Sequence, residues 1–201
     1  MNWQQKTLDT YNDSAQALAQ YFKDIGPRVK DIEIALKLAG VSKEARVVEI
    51  GCGDARDALE IAKRVKWYQG FDPSKGLLDI ATKKLPEASF VLADALSYDY
   101  PKQLDVIFAF ASLLHVNRKD LSLVFDKASK ALRPGGIFYI SLKERAIYTE
   151  EIKKDIYGKR MFYYYNPALI KSIAGDKYES VFEDNQKIGK TDWFTIAFKL
   201  T

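Results

Sequence analysis

The sequence predicts an α/β fold: an open, mostly parallel sheet of seven strands with helices on both faces and an antiparallel hairpin at its C-terminal end. Three observations lead there. From residue 46 onward, short β-branched or aromatic runs alternate with segments whose apolar residues recur at three- and four-residue steps, the two periods of strand and helix. The run Leu104-Asp105-Val106-Ile107-Phe108-Ala109-Phe110 is almost unbroken in apolar character, which suits a central parallel strand covered on both faces. The last two strand-like segments adjoin across a polar loop containing Gly189, and strands joined without a helix pair antiparallel.

Residues 11–39 place Tyr11, Ala15, Leu18, Ala19 and Phe22 at helical spacing, Gly26-Pro27 interrupts, and Val29, Ile32, Ala35, Leu36 and Ala39 resume the pattern. This predicts two N-terminal helices, the second capped by Gly40. A strand at 46–50 follows, then a helix carrying Ala58, Leu59, Ile61, Ala62 and Val65, and a strand at 67–71. Leu77, Leu78, Ala81 and Leu85 mark the next helix, and 89–92 the next strand. After the strand at 104–110, Leu121, Val124, Phe125, Ala128 and Leu132 form a helix that Arg133-Pro134-Gly135-Gly136 turns into a strand at 137–142. These read as the five strands of one parallel sheet built of βα steps. Residues 143–160 read as a charged stretch, followed by an aromatic cluster, a short helix at 167–174, and strands at 178–183 and 193–199.

With 201 residues, 47% hydrophobic and 29% charged, the chain has room for one core. Residues 1–201 therefore read as a single domain: an N-terminal helical cap (1–45), a central core (46–142), and a segment with the closing strands (143–201). Lys and Arg number 31 against 27 Asp and Glu, a net charge of +4 without a run of five like charges, which is weak ground for a nucleic-acid partner. One cysteine and one histidine exclude a disulfide framework and a Cys/His zinc cluster within the chain, and no metal is expected. No apolar run approaches the roughly 18 residues of a membrane span, and the first 15 residues lack the apolar core of a signal peptide. The expectation is a cytoplasmic protein, monomer or homodimer, with no membrane segment.

The most informative segment is Glu49-Ile50-Gly51-Cys52-Gly53-Asp54-Ala55-Arg56-Asp57, where a hydrophobic strand runs through Gly-x-Gly toward a helix. Glycines there let backbone approach a ligand closely. A dinucleotide turn would place a small residue where Arg56 stands, and the carboxylates of Asp54 and Asp57 would repel a pyrophosphate. The turn suits a ligand without phosphate. Asp72 lies 19 positions after Gly53, just past the second strand, where folds of this kind bind ribose hydroxyls.

In these residues, together with Asp94-Ala95 after the third strand and Leu132-Arg133-Pro134-Gly135-Gly136 before the fifth, the chain resembles the class I S-adenosylmethionine-dependent methyltransferases over nearly its whole length. The resemblance implies a Rossmann-like sheet, two N-terminal helices over the cofactor site, and S-adenosyl-L-methionine as cofactor. It implies that Gly51 and Gly53 border the methionine part, that Glu49 orders that loop, and that Asp72, with Pro73 beside it, takes both ribose hydroxyls. Asp94, Ala95 and Leu96 would lie at the adenine, Phe110 and Ala111 beside the methionine moiety, and Tyr11 over the closed pocket. Cys52 falls inside the same turn, where a lone cysteine also serves as a small filling residue. Read singly, each feature has a plainer account: the glycines make a tight turn, and Asp72 and Asp94 cap the helix or turn immediately after them.

Methyl transfer needs the acceptor held in line with the methyl group, and positioning alone supplies about 7–11 kcal/mol. A base is needed only where the nucleophile arrives protonated. The segment after the fourth strand, Ala111-Ser112-Leu113-Leu114-His115, lacks the Asn/Asp-Pro-Pro-aromatic signature of enzymes acting on exocyclic or amide nitrogens, and lacks the acids and Asn of the metal-dependent catechol type. His115 is the only histidine and stands on the acceptor side, as a catalytic group or as a packing or capping residue. Gly158-Lys159-Arg160-Met161-Phe162-Tyr163-Tyr164-Tyr165-Asn166-Pro167 resembles the stretch that passes over the site in small-molecule methyltransferases. If extended, it puts Phe162 and Tyr164 on one side and Tyr163 and Tyr165 on the other; Tyr164 is the second candidate catalytic residue, and aromatic faces there suit a sulfonium or an amine. The expected function is methyl transfer to a small-molecule acceptor through O, N or S. The alternatives are a protein or RNA methyltransferase and a noncatalytic cofactor-binding module.

Overall fold

A computed structural model describes residues 2–201. Three helices open the chain, α1 (Trp3–Asp13), α2 (Ala15–Ile25) and α3 (Val29–Leu38); then come β1 (Arg46–Ile50), α4 (Ala58–Ala62), β2 (Trp67–Asp72), α5 (Lys75–Lys84), β3 (Ser89–Leu92) and β4 (Leu104–Phe110). The second half holds α6 (Arg118–Ala131), β5 (Leu132–Lys143), β6 (Thr149–Asp155), β7 (Gly158–Tyr164), α7 (Pro167–Ala174), β8 (Tyr178–Ile188) and β9 (Thr191–Leu200). Seven strands form one sheet in the order β3-β2-β1-β4-β5-β9-β8, and β6 and β7 pair separately. β1, β2, β3, β4 and β5 run parallel, and β9 inserts antiparallel between β5 and β8. The connections reverse direction at β1, so the crevice between the carboxyl ends of β1 and β4 is where such a sheet binds ligands. No helix among the described residues is long and apolar enough to cross a membrane.

All seven residues of β4 are buried. Its alternate side chains feed two cores: Ile107 and Ala109 pack toward α6 and α7, and Val106, Phe108 and Phe110 toward α3 and α4. That two-sided burial is why the run carries no polar alternation.

Three expectations need correction. Residues 3–38 form three helices where two were expected, with a break at Ser14 that no Gly or Pro marks. The cause is tertiary: Thr7 and Thr10 bond the backbone of β7, and the Ser14 hydroxyl donates to Tyr157 O at 2.9 Å, which fixes α1 on the hairpin while α2 turns to pack on α5. The charged stretch 143–160 holds most of a β-hairpin, paired in register from Thr149↔Tyr164 to Asp155↔Gly158. The turn Arg133-Pro134-Gly135-Gly136 lies inside β5 as an irregularity in its pairing with β4, with Gly135 at φ +76°.

Candidate active site

The floor of the crevice is backbone. Gly51, Gly53 and Ala55 all take positive φ, at +70°, +55° and +65°, so the chain coils tightly after β1. The Gly51 and Cys52 N–H groups both donate to Phe71 O, at 2.8 and 3.1 Å, anchoring the loop to the end of β2. The two glycines serve different ends. A Cβ on Gly51 would lie 2.3 Å from Ser112 Cβ, whereas one on Gly53 would meet nothing closer than Leu77 Cδ1 at 3.9 Å. Gly51 is therefore glycine for packing, and Gly53 leaves an open face beside Asp72. The Cys52 side chain turns beneath the loop, buried against Gly70, and burial pushes its thiol well above the ordinary range.

Asp72 is buried at the end of β2. Its Oδ2 accepts from Gly53 N at 3.0 Å and its Oδ1 from Ser74 N at 2.8 Å, so it both braces the glycine loop and makes the capping contact before α5. Each carboxylate oxygen keeps a lone pair for a further donor. Burial lifts its pKa to about 6, against those two N–H bonds. Pro73 is exposed beside it. Glu49 is buried and accepts from the Tyr68 hydroxyl at 2.6 Å; burial, helped by the Asp57 carboxylate, pushes it up to about 8. Asp94 is exposed, and its Oδ1 accepts from Leu96 N at 2.7 Å and Ser97 N at 2.9 Å, the turn-capping geometry; Ala95 is buried and Leu96 half-buried. Ala111 takes φ +54° just beyond the buried Phe110.

The roof is made of side chains. Asn12 Oδ1 accepts from Ser74 Oγ at 2.9 Å and from Gly76 N at 3.0 Å, clasping α1 to the start of α5. His115 Nδ1 lies 2.5 Å from Met161 O. A carbonyl only accepts, so Nδ1 carries the proton and Nε2 its lone pair, and the Tyr11 hydroxyl, 2.8 Å away, donates to Nε2. Tyr11 in turn accepts from Arg160 Nη1 at 3.2 Å, and Arg160 is paired with Asp155. Burial, and next to it the charges of Arg160 and Lys143, hold the His115 pKa down at about 3 in spite of its carbonyl partner. His115 does not cap α6, a task taken by Asn117, whose side chain accepts from Asp120 N at 2.9 Å.

Phe162 and Tyr164 do share a side, their ring centres 6.5 Å apart, while Tyr163 and Tyr165 both meet Tyr148 on the other. Phe162 lies 4.8 Å from the His115 ring. The aromatic faces carry the protein's own cations: Lys143 Nζ sits 4.2 Å and the Arg160 guanidinium 5.4 Å from Phe162, and the Arg145 guanidinium 3.9 Å from Tyr164. The Tyr164 hydroxyl is buried without a hydrogen-bond partner.

The sequence pattern carried Arg160 only inside the 158–167 stretch, without a role of its own, and gave no sign of Asn12 and Lys143. It gave none of Arg28 either, which reaches Ser141 Oγ at 2.8 Å and Thr195 Oγ1 at 3.2 Å beneath a Phe110 contact of 4.9 Å. Nothing local marks any of them, since each acquires its role from a segment distant in sequence.

Residues 47–136 match a family described as a methyltransferase domain. The chain is 28% identical over 132 residues to the trans-aconitate 2-methyltransferase of Rhizobium leguminosarum, covering 65% of this chain and 51% of that protein. It is 25% identical over 154 residues to the ubiquinone/menaquinone biosynthesis C-methyltransferase UbiE of Campylobacter jejuni, covering 70% and 64%. The chain thus spans about half to two thirds of these relatives' length. Among solved structures, a methyltransferase of Leishmania major superposes with a TM-score of 0.74 at 16% identity, over 98% of this chain and 83% of that one. The N-methyltransferase NodS of Bradyrhizobium japonicum, solved with S-adenosyl-l-homocysteine, gives 0.66 at 16% identity over 86% and 85%. These structural likenesses carry the fold.

Proposed function

We propose that this chain, whose residues 47–136 match a methyltransferase-domain family, is a class I methyltransferase that transfers a methyl group from S-adenosylmethionine to a small-molecule acceptor. One observation carries the reading: at the switch point of the sheet a buried Asp72 carboxylate, with a lone pair free on each oxygen, adjoins the open face of Gly53. This arrangement fits a ribose and contains no cationic phosphate cradle. Asp72 would accept from the two ribose hydroxyls, Asp94, Ala95 and Leu96 would border the adenine, and Gly53, Phe110 and Ala111 the methionine part. Glu49 and Cys52 would act from beneath, holding the loop against Tyr68 and Gly70.

Held by Asp72 and the Gly53 loop, S-adenosylmethionine would supply an electrophilic methyl group on its sulfonium. The chain's own contribution is positioning and exclusion of water. Tyr11 closes the crevice from α1, and His115 holds Tyr11. An imidazole with a pKa of about 3, its lone pair engaged by Tyr11, is a weak base at neutral pH, so His115 is a positioning residue in this arrangement. The relatives named as a trans-aconitate 2-methyltransferase and as a ubiquinone/menaquinone biosynthesis C-methyltransferase support a small-molecule acceptor.

Calorimetric titration and thermal melts test this reading. S-adenosylmethionine and S-adenosylhomocysteine should bind and raise the melting temperature, because a ligand of the folded state stabilises it by mass action; NAD should not. Asp72→Ala should weaken cofactor binding about tenfold or more with the circular dichroism spectrum retained. A parent protein that binds neither ligand at millimolar concentration would refute the assignment, and an Asp72→Ala variant that loses fold while its affinity per folded molecule is unchanged would make Asp72 a cap alone.

A further inference from the structure

Building on that reading, we propose that the acceptor is an anion, a carboxylate- or phosphate-bearing molecule whose oxygens are held by Lys143 against the Phe162 and Tyr164 wall.

Lys143 stands at the carboxyl end of β5 with its ammonium 4.2 Å from the Phe162 ring and 5.6 Å from the Trp193 ring. It is half-buried, yet among the described residues it has neither an ion-pair partner within 4.0 Å nor a hydrogen-bond acceptor. A compact, strongly hydrated ammonium withdrawn from water in this way is costly unless a ligand supplies the missing acceptor. Its surroundings deepen the deficit. Lys153 lies 5.3 Å from the Tyr164 ring, Arg145 3.9 Å from the same ring and Arg160 5.4 Å from Phe162.

Two carboxylates serve these four cations. Asp155 is paired with Arg160, and Glu151 bonds Arg145 at 2.5 Å and lies 3.8 Å from Lys153. Burial, and then repulsion from Lys153 and Arg160, pull the Lys143 pKa down to about 8, so the group stays mostly charged at neutral pH.

Two more donors wait in the same wall. The Tyr164 hydroxyl and the Arg160 Nε are buried without hydrogen-bond partners, and Tyr164 and Arg160 are only 2% and 8% exposed. Unmet buried donors beside surplus positive charge are the complement of anionic oxygens. A cationic amine finds no place here, because the faces of Phe162 and Tyr164 are already covered by Lys143, Arg160 and Arg145. The site also adjoins the reaction centre proposed above, since the Phe162 ring is 4.8 Å from His115, which holds Tyr11. A sulfonium there repels a cationic acceptor and attracts an anionic one.

The test uses the full chain saturated with S-adenosylhomocysteine, titrated calorimetrically with citrate and with inorganic phosphate. Both anions, or one of them, should bind the parent, Lys143→Met should weaken that binding about tenfold or more, and Lys143→Arg should restore most of it. S-adenosylhomocysteine affinity and melting temperature should stay close to the parent's in both variants. Tighter citrate binding would assign the acceptor to the carboxylic acids, and tighter phosphate binding to the phosphate esters. Binding of S-adenosylhomocysteine with no binding of either anion at millimolar concentration, or equal anion binding by the parent and Lys143→Met, would overturn this proposal alone. Failure of the parent to bind S-adenosylhomocysteine would remove the methyltransferase reading and this proposal with it.

Discussion

The floor and the roof of the crevice are built by different means. The floor is the end of β1 and the glycine loop after it, held by backbone hydrogen bonds to the neighbouring strand end and by a glycine that has no room for a Cβ. The roof is assembled from α1 and the β6–β7 hairpin, segments about 150 residues apart, joined by Thr7, Thr10 and Ser14 to the hairpin backbone and by Tyr11 to His115 and Arg160. A floor set by backbone conformation fails when sterics change. A roof set by side-chain hydrogen bonds loosens piecemeal, each bond contributing about 0.5–1.5 kcal/mol.

The largest effect should come from the floor. Gly51→Ala places a methyl 2.3 Å from Ser112 Cβ at a φ of +70° and should cost about 3 kcal/mol or more in urea melts, from overpacking and backbone strain together. Gly53→Ala, with 3.9 Å of clearance, should cost only about 1 kcal/mol while still weakening cofactor binding. Equal melts for the two variants would erase the distinction between a packing glycine and a clearance glycine.

An intermediate effect is expected from His115 and pH. Its folded pKa, about 3, lies below the unfolded value of about 6.5. Between those values the unfolded chain binds the extra proton, so the stability contributed by this site falls as pH drops below about 6.5. Asp72 and Glu49, raised to about 6 and about 8, act in the opposite sense: the folded state holds their protons, and their contribution is lost as pH rises through those values. The comparison therefore has to be between variants. From pH 7 to pH 5 the parent should lose about 1–2 kcal/mol relative to His115→Phe. A constant difference between the two would show that the imidazole is not held neutral.

The smallest effect should be Tyr11→Phe, which removes one donor from the roof. About 1 kcal/mol of stability should go, and turnover should fall severalfold with cofactor affinity nearly unchanged. The pH–rate profile should keep its shape, because His115 is already unprotonated across the neutral range. A new acidic limb would mean that the imidazole titrates during turnover and serves as the base.

The strands of the sheet were legible in the sequence because each is a local run with its own period, and β4 fell on the expected residues 104–110 because two-sided burial leaves an unbroken apolar signature. Gly51, Gly53 and Asp72 were legible for a related reason: a tight turn at a strand end demands particular residue types at fixed spacing. Period and spacing are properties of neighbours in the chain. The break at Ser14, the hairpin within residues 143–164, the tautomer of His115 and the cations over Phe162 and Tyr164 are not. A lysine or threonine reads the same on a solvated helix as in a wall, and only the packing of α1 and β5 against the hairpin decides which of these groups lose water and what each then needs as a partner.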